Sequence, residues 1–140
     1  MAEQVCKGSC LCGEVEYEIS GNMGIFQYCH CSRCRKFTGS AHASNLFVKP
    51  TDFKWNKGED MVMSYQPDFS KYFATAFCQQ CGSSMPWLSK SGQVMVITAG
   101  TLDDAPSIRP NQNIFCASSA TWYEPVDNLP KFDELPPRKG

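Results

Sequence analysis

Nine cysteines in 140 residues constrain this chain more than any other feature. Seven fall into tight groups: Cys10-Leu11-Cys12, Cys29-His30-Cys31-Ser32-Arg33-Cys34 and Cys78-Gln79-Gln80-Cys81. Cys6 and Cys116 stand alone. An odd count argues against a fully paired disulfide scaffold. The opening Met1-Ala2-Glu3-Gln4-Val5 has neither the basic segment nor the apolar run of a secretory leader. No apolar run approaches the roughly 20 residues that a membrane-crossing helix needs. The expected setting is cytoplasmic, where dense thiols point to metal or redox chemistry rather than disulfides.

The length suits one domain, expected over residues 1–140, and is enough to bury a real core. Charge is nearly balanced at −1, with no basic block. A nucleic-acid partner is therefore not expected. Short alternating or β-branched runs separated by turn residues predict a mainly β fold. Strands are expected at 14–19, 25–28, 43–48, 53–55, 61–65, 71–77, 85–88, 93–98 and 113–116. A short helix is expected from Arg33 to Phe37, capped by Ser32 and ended by Gly39. A second helical turn is expected at 102–105. Residues 125–140 carry Pro125, Pro130, Pro136 and Pro137, and read as an extended proline-rich tail lying over the domain.

Cys78-Gln79-Gln80-Cys81-Gly82 is the strongest local motif. A CxxC turn aims both sulfurs at one ion, and the following glycine permits the tight backbone. A thioredoxin-like redox pair would need a helix N-terminus to lower its thiol pKa, and Ser83-Ser84-Met85-Pro86 is a poor helix start. Cys10 and Cys12, at positions i and i+2 on a turn before the strand at 14–19, can present both sulfurs on one side. The four thiols Cys10, Cys12, Cys78 and Cys81 thus form an expected structural Zn²⁺ site tying distant segments together.

Cys29, Cys31 and Cys34 pack three thiols into six residues. Three protein donors leave one tetrahedral position open, as in catalytic zinc sites. The alternative is a second closed site completed by His30, Cys6 or Cys116. Spacing alone does not separate these two readings. His30 is expected to point away from its flanking cysteines, and His42 to be a satisfied structural histidine. Arg33, Arg35 and Lys36 read as a solvated face, or as binders of a carboxylate near the metal. Phe26, Tyr28, Phe37, Phe47 and Trp87 are expected in the core rather than in a pocket wall.

The order CxC, CxCxxC, CxxCG, in the segments 7–15, 29–36 and 77–82, resembles the glutathione-dependent formaldehyde-activating enzyme family, whose domain is shared by centromere protein V. The resemblance continues through Ile114-Phe115, Trp122 and Leu129-Pro130-Lys131-Phe132. It implies a β-tent (Mss4-like) fold of stacked antiparallel sheets with zinc-binding knuckles. It implies two Zn²⁺ per chain: a structural one at Cys10, Cys12, Cys78 and Cys81, and a catalytic one at Cys29, Cys31 and Cys34 that accepts the sulfur of glutathione.

The implied activity is a carbon–sulfur lyase type of reaction joining formaldehyde and glutathione into S-hydroxymethylglutathione, or a related thiol–aldehyde adduct. The implied partner is thus a small-molecule thiol, with no membrane and no stated oligomer. The family often has histidine before the Ile114-Phe115 segment, where this chain has Asn113. Two other functions compete. Cys116 would be a redox nucleophile by analogy with zinc-containing methionine sulfoxide reductases of related fold, and a non-catalytic zinc module would bind a protein partner.

Overall fold

The computed structural model describes residues 5–138, so residues 1–4 and 139–140 of the expected domain and tail lie outside the described residues. Ten strands and one α-helix follow in chain order: β1 (Cys6–Ser9), β2 (Glu16–Ile19), β3 (Phe26–Cys29), α1 (Ser32–Thr38), β4 (Ala43–Val48), β5 (Phe53–Lys57), β6 (Val62–Tyr65), β7 (Thr75–Cys78), β8 (Trp87–Leu88), β9 (Met95–Thr98) and β10 (Gln112–Ile114). They form a three-stranded sheet in the order β1-β2-β5, a five-stranded sheet β10-β3-β4-β9-β8, and the β6-β7 ribbon. The mainly β expectation holds. Pairing is antiparallel except for β10, which lies parallel to β3 and sets Ile114 opposite Cys29.

The burial of β2 follows its sequence. Tyr17 and Ile19 turn inward while Glu16 is exposed, as a half-buried strand requires. All four residues of β9 are buried, matching its apolar run. Val15, Tyr17, Ile19, Leu46, Met85 and Ile97 form the centre of the core, where full burial of each large apolar side chain contributes about 1.5–3 kcal/mol. Tyr17 stacks on Phe53 at 5.5 Å between ring centroids, and its hydroxyl lies 2.7 Å from the Thr101 hydroxyl.

Several expectations are corrected. β1 was hidden by Gly8 and Ser9, which read as turn residues but pair with Tyr17 and Glu16. The CxC therefore sits on the turn between β1 and β2, not ahead of the first strand. No helical turn forms at 102–105. Instead Ala99–Thr101 makes the 3₁₀ turn, and the amides of Asp103 and Asp104 bond back to the Lys7 carbonyl along the edge of β1. The strand expected at 71–77 shrinks to β7, because residues 67–72 form a loop, mostly exposed beyond the buried Pro67, whose backbone bonds Lys90. β8 starts only at Trp87, since Pro86 has no amide to donate. The last strand shifts to 112–114 because Phe115 leaves extended geometry. The tail from Pro125 to Arg138 is exposed and contains a 3₁₀ turn at Val126–Asn128, so the described part is not packed down over the domain.

Gly8 lies directly under the Tyr17 ring, so a Cβ there would collide with ring atoms on the neighbouring strand. Gly8→Ala is expected to cost about 1–3 kcal/mol through overpacking. Gly100→Ala, where a Cβ meets nothing within 4 Å, should stay within about 0.5 kcal/mol. Thermal melts of both variants check the pair, and an unchanged midpoint for Gly8→Ala would contradict the packing described.

Candidate functional site

The first cysteine group is assembled by two turns from opposite parts of the chain. Cys10 and Cys12 lie on the turn between β1 and β2. Cys78 ends β7, and Cys81 follows on its turn. Gly82, with φ 77°, closes that turn by donating its amide to the Cys78 carbonyl at 2.7 Å. The Leu11 amide donates to the Ser83 hydroxyl oxygen at 2.9 Å, and the Val15 amide to the Cys10 sulfur at 3.3 Å. The four Sγ atoms all lie within 4.8 Å of one another. The Cys10–Cys12 and Cys12–Cys78 sulfur distances are 3.5 and 3.8 Å. A tetrahedron with Zn–S bonds of about 2.3 Å has edges of about 3.8 Å, so the donor set fits a thiolate-bound ion.

The thiols also perturb one another. The Ser83 hydroxyl, then nearby backbone amides, lower the Cys81 pKa to about 5. At Cys12 the Glu14 backbone hydrogen bond lowers the pKa, but desolvation and the neighbouring sulfurs outweigh it and raise the thiol to about 12. Four thiols this close ionise together only if a cation lies among them.

The second group is built around the start of α1. Cys29 ends β3, Cys31 caps α1, and Cys34 lies in its first turn. The cap is Cys31 rather than the expected Ser32: its sulfur accepts the Cys34 amide at 3.3 Å. A sulfur thus takes the place of the usual hydroxyl or carboxylate at one orphan amide. Gly39, in the left-handed conformation, ends the helix as expected. All three cysteines are buried, with Sγ atoms within 4.8 Å of one another. The Cys31 pKa is lowered by hydrogen bonding from Cys29 and Cys34, whereas the Cys34 pKa is raised by those sulfurs and by burial. The trio shares negative charge unequally, again a cluster that fits a cation.

Among the described residues, no fourth donor joins this trio. His30 points away, with Nε2 2.9 Å from the Asn113 Oδ1 and its ring between those of His42 and Tyr123. Cys6 packs in the other core and donates to the Asp104 carbonyl. Cys116 is exposed, beyond Phe115. His42 is stacked on Tyr28 at 4.3 Å, and burial lowers its pKa, partly offset by the Ala43 carbonyl. The expectations for both histidines agree with these contacts.

A cleft of about 310 Å³ opens on the trio. Cys29, Cys31 and Cys34 line it, with Phe47, Phe73 and Trp87 among its other lining residues. Phe47 and Trp87 thus line a cleft rather than serving the core alone. Phe69, Tyr72 and Phe115 are exposed residues of its lining. Phe115 adopts φ 55°, a left-handed conformation costing about 1–2 kcal/mol outside glycine. That kink turns the chain off β10 and sets the ring at the cleft.

Polar groups are few. The Asn45 side-chain amide approaches the Cys34 sulfur at 4.0 Å. Arg33 is not simply a solvated residue: its guanidinium lies 5.8 Å from the Phe73 ring centroid, and its Nε is buried without a hydrogen-bond partner. Lys71 stands over Tyr72 at 5.3 Å. A larger hollow of about 610 Å³ adjoins Cys6, Met23 and Asp104, but it holds a single thiol whose pKa burial raises. The sequence missed Trp87, Phe69, Tyr72, Phe73 and Phe115 as cleft residues, since nothing in their local pattern distinguishes them from core or loop.

The sequence matches the family model described as glutathione-dependent formaldehyde-activating enzyme over residues 5–118. Trp122 and Leu129–Phe132 lie beyond the matched residues. No curated protein matches the sequence significantly. Among solved structures, the crystal structure of a Rhodobacter sphaeroides protein, a structural genomics target, aligns with a TM-score of 0.58 at 23% identity, covering 76% of this chain and 98% of that chain. That likeness shows a shared fold.

Removing a donor from the first group should unsettle the whole fold, because its thiols bring β1–β2 and β7 together. Cys81→Ser is expected to lose one equivalent of bound metal and to lower the melting temperature strongly or give insoluble protein. Elemental analysis and a thermal melt check this. Full metal content with an unchanged melt would rule out a structural role for the group.

Proposed function

Since the chain belongs to the glutathione-dependent formaldehyde-activating enzyme family, we propose that it joins glutathione to an aldehyde, giving S-hydroxymethylglutathione or a related adduct, and cleaves that carbon–sulfur bond in reverse. The observation that carries this reading is the buried trio Cys29, Cys31 and Cys34 on an open cleft, with no fourth protein donor among the described residues. In this reading Cys10, Cys12, Cys78 and Cys81 hold a structural Zn²⁺, and the trio holds a second. When bound there, zinc supplies positive charge that favours the thiolate form of a substrate thiol, which is mostly protonated when free at neutral pH.

The chain's own residues do the rest. Arg33 has an unpartnered Nε, and its fork suits a carboxylate, of which glutathione carries two. Lys71 offers a second cation at the cleft. Among the described residues the only ion pair is Lys131–Asp127, so neither cation is already neutralised by a carboxylate. Phe73 and Trp87 give the cleft apolar walls, and the Asn45 amide, also in its lining, approaches the Cys34 sulfur at 4.0 Å. The reaction is redox-neutral. The substrate S–H bond breaks, a sulfur–carbon bond forms at the carbonyl, and the proton ends on the former carbonyl oxygen. Holding the two reactants together in the cleft provides the proximity that such an addition exploits.

All nine cysteines are unbridged. No helix among the described residues is long and apolar enough to cross a membrane. The redox alternative gains nothing from Cys116, which does not line the cleft.

Cys31→Ser is expected to keep the fold and one Zn²⁺ while losing the second ion and weakening glutathione binding at least about tenfold, because its trio is local in sequence and perturbs only one loop. Metal stoichiometry and calorimetric titration read both effects. Equal glutathione affinity in variant and wild type would remove Cys31 from the substrate site. Arg33→Met should raise the KM for glutathione about tenfold with kcat nearly unchanged, the mark of lost uniform binding. Steady-state kinetics at saturating aldehyde decide it, and a fall in kcat alone would contradict the carboxylate role.

A further inference from the structure

A second cleft, of about 710 Å³, adjoins the thiol cleft and shares Arg33, Phe69 and Phe73 with it. Its remaining lining includes Phe37 from α1, Tyr65 from β6 and Pro67 from the loop that follows. The stacked Arg33–Phe73 pair stands where the two clefts meet. The thiol cleft is already of the size that small ligands occupy, about 300–1,000 Å³. A formaldehyde adduct adds only one carbon and a hydroxyl to glutathione, and has nothing to place in a second aromatic hollow.

We propose that the second cleft is a subsite for a bulky apolar substituent on the thiol, an alkyl chain of several carbons or an aryl group, so that the carbonyl substrate is a large apolar aldehyde rather than formaldehyde alone. The inference rests on the thiol-adduct reading above and extends it. The substituent begins at the sulfur and passes the aromatic edge formed by Phe69 and Phe73. It ends against Phe37 and Tyr65, whose exposed apolar area leaves water, with the buried Pro67 beneath them. Arg33, at the junction, pairs with a carboxylate of the tripeptide part, so the charged and apolar ends of one conjugate part company there. The addition balances as before: a sulfur–carbon bond forms and the thiol proton passes to the carbonyl oxygen, with no oxidant or reductant.

The test compares S-methylglutathione with S-hexylglutathione by calorimetry on the metal-loaded protein. Each methylene that leaves water is worth up to about fourfold in affinity, so the hexyl conjugate should bind at least about tenfold tighter. Tyr65 is exposed on a two-stranded ribbon, so Tyr65→Ala should fold and should reduce that preference. Equal affinity for the two conjugates, or a preference left intact in Tyr65→Ala, overturns the subsite. Turnover of formaldehyde and of hexanal with glutathione separates the two readings. Formaldehyde turnover without a hexyl preference leaves the activity standing and removes the subsite. A hexyl preference without turnover of either aldehyde keeps the subsite and removes the reaction.

Discussion

Two turns from distant parts of the chain converge through sulfur, and the surrounding packing is arranged about that meeting point. Cys12 on the β1–β2 turn and Cys78 at the end of β7 are 66 residues apart in sequence, yet their sulfurs are 3.8 Å apart. That contact links a three-stranded sheet to a two-stranded ribbon, and an isolated ribbon is marginal on its own. The supporting bonds are two local ones, the Gly82 amide to the Cys78 carbonyl and the Val15 amide to Cys10, and one that crosses between the turns, the Leu11 amide to Ser83. Each makes a sulfur or turn group the partner of an amide that would otherwise lack one. Packing then continues inward from Val15 and Cys78 to the central core.

The second cysteine group uses different physics. Its sulfurs are brought together by a strand end and a helix start rather than by distant turns. Cys31 acts as a helix cap, so its position follows from the geometry of α1. Cys29 is held from the other side by β10, whose parallel pairing places Ile114 beside it. The same β10 supplies Asn113, which takes the His30 ring and turns it away from the thiols. Asn113 is thus used here to orient a histidine rather than to serve the cleft itself. One consequence is a trio with its fourth face open to solvent and to aromatic walls.

The legible parts of the fold were those with a local signal. β4 was bounded correctly because its apolar Leu46-Phe47-Val48 stretch stops at Lys49-Pro50, where proline cannot continue the ladder. The helix was readable from Gly39 and from the failure of strand alternation, though not its cap, because cysteine is not an ordinary capping residue. β1 was invisible, since Gly8 is there to make room for Tyr17 on the neighbouring strand. The parallel β10 and the shortening of the strand expected at 71–77 depend on which segments meet, and no periodicity encodes that.

What the sequence determined by itself were the donor sets. CxC, CxCxxC and CxxCG place sulfurs within one or two turns of backbone, so their local geometry follows from spacing alone. Tertiary structure decided what surrounds them. The cleft is an empty volume bounded by Arg33 of α1, Phe69 and Phe73 of a loop, Trp87 of β8 and Phe115 after β10. None of these residues neighbours the others in the chain except through the fold. A cavity has no local signature because it is defined by where side chains from separate elements stop, and only long-range packing sets those limits.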